Sequence, residues 1–234
     1  MSRIYTEEAE LYDIAFDWDL TEEAAWLVER LGRECRSVLE PGCGSGRMLA
    51  ALAAHGLEVV GIDTSDEMLD LARARGAEIV RADMTNFDLG RRFDGAVSLV
   101  STVGVLRADG LTSHLEAMAR HLESGAPYLV QQGVFAADAE LWRSEWEAER
   151  DGTKLHVVWE AIDRERSRSR VKIVGGPRAG EVVEDEHVSA FWTVGAWREA
   201  ITASPFTQVA CYDERAEVEL DLGGGLLWHE LVAP

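Results

Sequence analysis

The sequence predicts an α/β fold: a doubly wound, mostly parallel sheet of seven strands, with an antiparallel insert after the fifth. Three observations predict it. Between residues 37 and 132, short apolar runs alternate with longer amphipathic ones, the rhythm of βαβ units. A glycine-rich loop, Gly42-Cys-Gly-Ser-Gly46, separates the first apolar run from the first amphipathic one. After residue 133 helical spacing gives way to strand-like runs joined by turn-prone stretches.

Taken in order, residues 5–33 read as one or two acidic helices, with Ala24, Leu27, Val28 and Leu31 as an apolar stripe. Strands are expected at 37–40, 57–62, 77–80, 93–99 and 128–131, with helices at 46–55, 65–75 and 110–123. The second of these helices opens with Thr64 followed by Glu67, a capping-box spacing. Runs at 154–162, 169–174 and 181–189 read as successive insert strands, the turn after the second carrying Gly175-Gly176-Pro177. A helix at 195–203 and strands at 206–212 and 226–232 close the chain. The expected organisation is a helical segment at 1–36, a ligand-binding core at 37–132, an antiparallel layer at 133–192 and a closing unit at 193–234.

With 234 residues the chain is long enough for one principal core. Its 23 Lys plus Arg against 43 Asp plus Glu give a net charge of -20, which disfavours nucleic acid and anionic membrane as partners. Cys35, Cys43 and Cys211 form an odd set without metal-ligand spacing, so free thiols in the cytoplasm are expected and no metal. The apolar run at 48–54 falls far short of the ~18 residues of a membrane span, and the acidic N-terminus lacks a signal-peptide pattern. A soluble monomer or homodimer is expected.

The glycine loop carries the most chemistry. Small residues at the carboxyl end of a strand let backbone approach a ligand closely. A dinucleotide fingerprint needs a third glycine or alanine at 47 or 49, where this chain has Arg47 and Leu49, and no P-loop spacing is present. Asp63 ends the second strand, where a carboxylate facing the cleft accepts ribose hydroxyls, a chemistry shared with dinucleotide sites.

The acid-x-Gly-x-Gly-x-Gly form from Glu40 to Gly46 resembles motif I of the class I S-adenosylmethionine-dependent methyltransferases, enzymes with a Rossmann-like core. Asp63-Thr-Ser-Asp-Glu-Met-Leu69 resembles that family's Asp-x-Ser-x-x-Met-Leu, and Arg81-Ala-Asp-Met84 its adenine-side acid. Phe93 to Val100 resembles its fourth strand. Leu122 to Val130 resembles its approach to the fifth, with Ala126 for the second glycine. The resemblance implies S-adenosyl-L-methionine as cofactor, with Gly42, Gly44 and Gly46 at its methionine part, Asp63 at the ribose, and Asp83 and Met84 at the adenine. Thr64, Met68 and Val100 complete that set, and Cys43 enters it as a small loop residue. Glu40 orders the loop or reaches the amino group through water; Arg47 pairs with the methionine carboxylate or covers the first helix turn.

Tyr5 to Asp13 resembles the family's N-terminal lid segment, where Tyr12 attracts a cation or orients an acceptor. The alternative is that Ile4, Tyr12 and Phe16 pack on the sheet. The implied reaction is in-line transfer of a methyl group to a nitrogen or oxygen of a small molecule, which needs positioning more than a covalent intermediate. Tyr12 and His187 are the catalytic candidates, with Glu184, Gln131 and Tyr128 as other possible bases. His187 also reads as a sheet histidine bonded to a neighbour. Arg164, Arg166, Arg168, Arg170 and Lys172 share one face if the run is extended, for a phosphorylated acceptor or for Glu181, Glu184, Asp185 and Glu186 alongside. Trp142, Trp146, Trp159, Trp192 and Trp197 read as packing residues, one or two of which line an acceptor pocket. The rival readings are a nicotinamide-linked oxidoreductase and a non-catalytic binding protein.

Overall fold

The computed structural model describes residues 2–213, 216–218 and 224–234. After a short turn at Arg3–Tyr5 come α1 (Ala9–Ala15) and α2 (Thr21–Leu31). Asp19 starts α2 by accepting hydrogen bonds from the backbone N–H (2.8 Å) and hydroxyl (2.6 Å) of Thr21. The core then runs β1 (Ser37–Pro41), α3 (Arg47–Ala54), β2 (Glu58–Asp63), α4 (Asp66–Ala74), β3 (Glu78–Arg81), β4 (Gly95–Ser98), α5 (Ala108–His121) and β5 (Pro127–Phe135). Beyond it lie β6 (Arg143–Arg150), β7 (Thr153–Ala161), β8 (Arg166–Gly175) and β9 (Val182–Val188). The chain closes with β10 (Trp192–Thr193), α6 (Val194–Ala203), β11 (Thr207–Asp213), β12 (Ala216–Glu217) and β13 (Gly224–Val232).

The central sheet has the order β12-β11-β13-β5-β4-β1-β2-β3. Strands β1 to β5 pair in parallel, while β13 lies antiparallel between β5 and β11. Seven of these strands match the expected sheet; the two-residue β10 and β12 add edges too short to carry a periodic signal. Alternate residues feed two layers. Val38, Val59, Val97 and Leu129 pack with α2, α3 and α4. Leu39, Val60, Ala96 and Tyr128 pack with α5 and α6. Burial on both faces explains why these strands read as continuous apolar runs.

The helix α4 is capped by Ser65, whose Oγ accepts from Met68 N at 3.2 Å, and not by Thr64 as its capping-box spacing suggested. Asp63 Oδ1 accepts from both Thr64 N and Ser65 N, which turns the chain one residue further before the helix begins. Strand β6 carried no clear sequence signal: only Trp146 and Ala148 supply apolar side chains on its inner face, between charged residues. It pairs with β7 to complete a second sheet, in the order β6-β7-β8-β9. Ile4, Leu11, Ile14 and Phe16 pack on Leu155, Val157, Val171, Ile173 and Val183 of that sheet. Residues 4–16 therefore pack on the insert sheet, whereas α2 packs on the central one.

Candidate active site

One cavity of about 1140 Å³ lies between the carboxyl ends of the central strands and the inner face of the second sheet. It sits at the switch between β1 and β4, where parallel strands diverge to opposite sides. Its floor is the glycine loop. Gly42, Gly44 and Gly46 all have positive φ (+65°, +52° and +74°), a conformation L side chains adopt at a cost. A Cβ on Gly42 would stand 2.4 Å from Thr102 Cγ2, and one on Gly46 2.8 Å from Ala72 Cβ. At Gly44 only Met68 Sδ, at 3.9 Å, would be near, so Gly44 faces open cavity.

Of the expected ligand residues, Tyr12, Gly42, Gly44, Asp63, Thr64, Met68, Asp83, Met84 and Val100 line this cavity. Glu40, Cys43, Gly46 and Arg47 stand behind the loop. Cys43 Sγ is buried against the place where a Gly61 side chain would be, and burial pushes its thiol well up, so it is no nucleophile. Arg47 donates to Trp18 O at 2.6 Å and lies over the Trp18 ring at 5.1 Å, beside the cavity edge that Trp18 lines. Asp63 Oδ2 accepts from Gly44 N at 2.9 Å, tying the end of β2 to the loop and fixing the carboxylate beside it.

Other candidates lie elsewhere. Glu184 is on the outer face of β9, opposite Arg168 and Arg170 at 3.8 and 3.6 Å. Tyr128 is buried against the His114 ring, its hydroxyl 2.8 Å from Nε2. Gln131 accepts from Val100 N at 2.8 Å and donates to Glu23 at 3.2 Å. With its own carbonyl accepting from Ser101 N, it secures Val100 and Ser101 in left-handed conformations (φ 51° and 55°), a strain of about 1–3 kcal/mol each. The arginine stripe is a solvated outer face: Arg166 and Arg168 pair with Glu186 at 3.1 and 2.7 Å. Arg164 precedes that strand and lies over the Phe191 ring at 3.9 Å. Ser101, Thr102, Gln132 and Ser167 also line the cavity, and no motif marks them.

The opposite wall is aromatic. Tyr12 stacks on Phe16 at 4.4 Å and meets Tyr5 edge-on at 5.3 Å and Trp159 at 6.3 Å. Burial pushes both tyrosine hydroxyls above the usual phenol range. Trp142, Trp146 and Trp159 line this wall, whereas Trp192 and Trp197 belong to the core on the α5 and α6 side. His187 sits 5.0 Å from the Trp159 ring and 5.8 Å from Tyr5, and burial pushes its imidazole down to about 4. Neither ring nitrogen has a hydrogen-bond partner among the described residues, so the expectation of a sheet histidine bonded to a neighbour does not hold.

Residues 38–125 match the family model "Methyltransferase domain". The chain is 30% identical to the dTDP-3-amino-3,4,6-trideoxy-alpha-D-glucopyranose N,N-dimethyltransferase of Streptomyces venezuelae, over 85% of this chain and 89% of that one. The chain belongs to the class I S-adenosylmethionine-dependent methyltransferases. A second relative of this methyltransferase is the dTDP-3-amino-3,6-dideoxy-alpha-D-glucopyranose N,N-dimethyltransferase of Streptomyces fradiae, 31% identical over 85% of this chain and 83% of that one. The crystal structure of Streptomyces venezuelae DesVI superposes with a TM-score of 0.79 at 25% identity, covering 97% of this chain and 98% of that one. The enzyme transfers a methyl group from S-adenosylmethionine to a small-molecule acceptor, and the nicotinamide reading falls.

The residues of the methyltransferase fit that cofactor. Gly42 and Gly44 leave backbone exposed to the cavity, and Asp63 and Asp83 stand apart along it. Glu40 Oε2 is buried with no partner among the described residues, and burial with Asp63 nearby pushes its carboxyl well above the usual range. Beneath Met84, the buried His114 ring lies with Nδ1 3.0 Å from Met84 O, which holds the loop after β3 in place. Burial pushes the His114 imidazole down to about 4.

A network joins the halves of the site. Asp13, its side chain 2% exposed, accepts from Arg75 Nη2 at 2.8 and 2.9 Å and from Arg150 Nη1 at 2.8 Å, and also from Ser45 Oγ. One carboxylate of α1 thus ties the glycine loop, the end of α4 and β6 together.

Proposed function

We propose that this enzyme methylates the amine of a sugar-sized acceptor, with S-adenosylmethionine along the glycine loop and the acceptor against the aromatic wall. The observation that carries this reading is the continuity of the cavity from Gly42, Asp63 and Asp83 to Tyr5, Tyr12 and Trp159, one chamber in which two ligands could meet. The sugar N,N-dimethyltransferase relatives support an amine as the group modified.

Asp63 would accept the ribose hydroxyls, Asp83 and Met84 would flank the adenine, and Gly42 and Gly44 would admit the methionine part. Thr64, Met68 and Val100 would close round it. Glu40, Cys43, Gly46 and Arg47 would shape the loop from behind. Bound there, S-adenosylmethionine supplies an electrophilic methyl group. Tyr12 offers an aromatic face to positive charge, worth ~0.5–2 kcal/mol, and with Phe16 and Trp159 excludes water. Holding amine and methyl carbon in line lowers the barrier by up to ~7–11 kcal/mol without covalent help. The charge of -20 supports an acceptor other than nucleic acid, and three buried free thiols support a cytoplasmic setting.

Calorimetric titration with S-adenosylhomocysteine and with NAD tests the cofactor half. Micromolar binding of the first alone is expected, weakened ~10–100-fold in Asp63→Ala by the loss of charge-assisted hydrogen bonds. Mass spectrometry after incubation with each relative's nucleotide-linked amino sugar tests the acceptor half. Gain of one or two methyl groups is expected; tight S-adenosylhomocysteine binding without methylation of either sugar sinks the amino-sugar reading.

A further inference from the structure

The inner face of the second sheet changes chemistry along its length. Val157, Val171 and Val183 lie in register across β7, β8 and β9, and are buried under the N-terminal segment. Two residues on, the same rows read Trp159, Ser169 and Asp185; two further, Ala161, Ser167 and His187. A dry packing face has no use for a hydroxyl and an imidazole. Asp185 has a structural task, accepting from Ser2 Oγ at 2.5 Å and Ile4 N at 3.1 Å. Ser167 and His187 make no side-chain hydrogen bond to any described residue.

Ser167 is wholly buried, and its Oγ has no hydrogen-bond partner among the described residues; both ring nitrogens of His187, opposite it across the strand pair, are equally unpaired and sealed from solvent. Both side chains border the cavity, beside Trp159. Buried polar groups in folded proteins are almost always paired, so two adjacent exceptions on a ligand chamber mark where a ligand's polar atoms belong. A hydroxyl of a ligand both donates and accepts. A neutral imidazole presents one donor and one acceptor, and the serine hydroxyl either.

We propose that Ser167 and His187 form a subsite that reads the ring hydroxyl at C4, on the side of the C3 amine away from the C2 hydroxyl that both relatives' sugars carry. The subsite rests on the amino-sugar reading above and sets which sugar is used. His187 is neutral at pH 7, its imidazole held down to about 4 by burial against the opposing pull of Asp185. It is therefore a weak proton acceptor for an amine and a sound hydrogen-bonding partner for a hydroxyl.

The two sugars of the preceding assay differ by the hydroxyl at C4, beside the amine. Wild-type enzyme is expected to favour the hydroxylated 3,6-dideoxy sugar ~10–100-fold in kcat/KM, as sites built around a hydroxyl reject its absence. Ser167→Ala and His187→Ala should bring that ratio towards one through acceptor KM, with His187→Gln retaining part of it and S-adenosylhomocysteine affinity unchanged in all three. Because no described residue hydrogen-bonds to these groups, neither alanine variant should lower Tm by more than a few degrees; a large Tm loss would show a structural role instead. Equal use of both sugars by wild type and variants overturns the subsite and leaves the amino-sugar reading standing. A kcat loss that removes a limb of the pH profile assigns His187 as a base and also overturns it. Failure to bind or methylate either sugar overturns both.

Discussion

The two halves of the cavity are built in different ways. The half around the glycine loop comes mainly from one stretch of chain, Glu40 to Met84, where loop conformation does most of the work. The glycines supply positive φ, Asp63 ties to Gly44 N, and strand ends place the carboxylates. The acceptor half is assembled from the N-terminal segment, the ends of β4 and β5 and the inner faces of β6 to β9. There, side-chain alternation on a sheet does the work. A backbone-built pocket leaves a compact sequence signature; a wall built from strand faces leaves one only as period-two patterning.

The largest predicted effect tests the bond between the halves. Asp13→Ala leaves Arg75 and Arg150 without their shared carboxylate, which should cost about 3 kcal/mol and lower Tm by roughly 6–12 °C in a calorimetric scan. The same substitution should loosen S-adenosylhomocysteine binding, since Ser45 loses its partner in the glycine loop. No loss of Tm would mean that the halves hold together without the network.

Next comes pH. The folded His114 imidazole lies near 4 against about 6.5 when unfolded, so the folded state binds fewer protons between those values. Its contribution, on the order of 2–3 kcal/mol, is full above pH 6.5 and is lost as pH falls towards 4. Urea denaturation at pH 7.5 and 5 should show a stability loss in wild type that is smaller in His114→Gln. The difference between the two proteins isolates His114 from Glu40, whose raised carboxyl pulls the opposite way.

Gly44→Ala sharpens the contrast within the cofactor half. Its Cβ meets open cavity, so stability should fall only by about 1–2 kcal/mol, the cost of a left-handed alanine. Calorimetry should show S-adenosylhomocysteine affinity falling as well, at least ~10-fold, because the methyl occupies ligand space. Smallest is Arg170→Ala on the outer face of the second sheet, facing Glu184 at 3.6 Å with both side chains about half exposed. It should change stability by under ~0.5 kcal/mol and leave acceptor KM unaltered. A clear rise in KM would restore the arginine stripe as an acceptor contact.

Most of the cavity floor was legible in sequence, because Gly42, Gly44 and Asp63 stand at fixed spacing along the chain. Spacing did not distinguish residues facing the cavity from those behind the loop. Cys43 and Arg47 neighbour the glycines in sequence, yet one is buried beneath the loop and the other is held by Trp18. Strand β6 escaped because the alternation of Trp146 and Ala148 is too short to stand out among charges. Val100 and Ser101 are held in positive φ by Gln131, a contact across 30 residues that no local pattern announces.

The sequence alone determined the layered α/β core, the glycine loop and the acids that end β2 and β3, because period, turn chemistry and motif spacing are local properties of a chain. Tertiary structure decided the rest. It set Tyr12 facing Trp159, paired Arg168 and Arg170 with β9, and put Ser167 opposite His187. Those contacts depend on strand register and on which face of a sheet turns inward, and register is settled by the packing of the apolar rows of the inner face against the N-terminal segment.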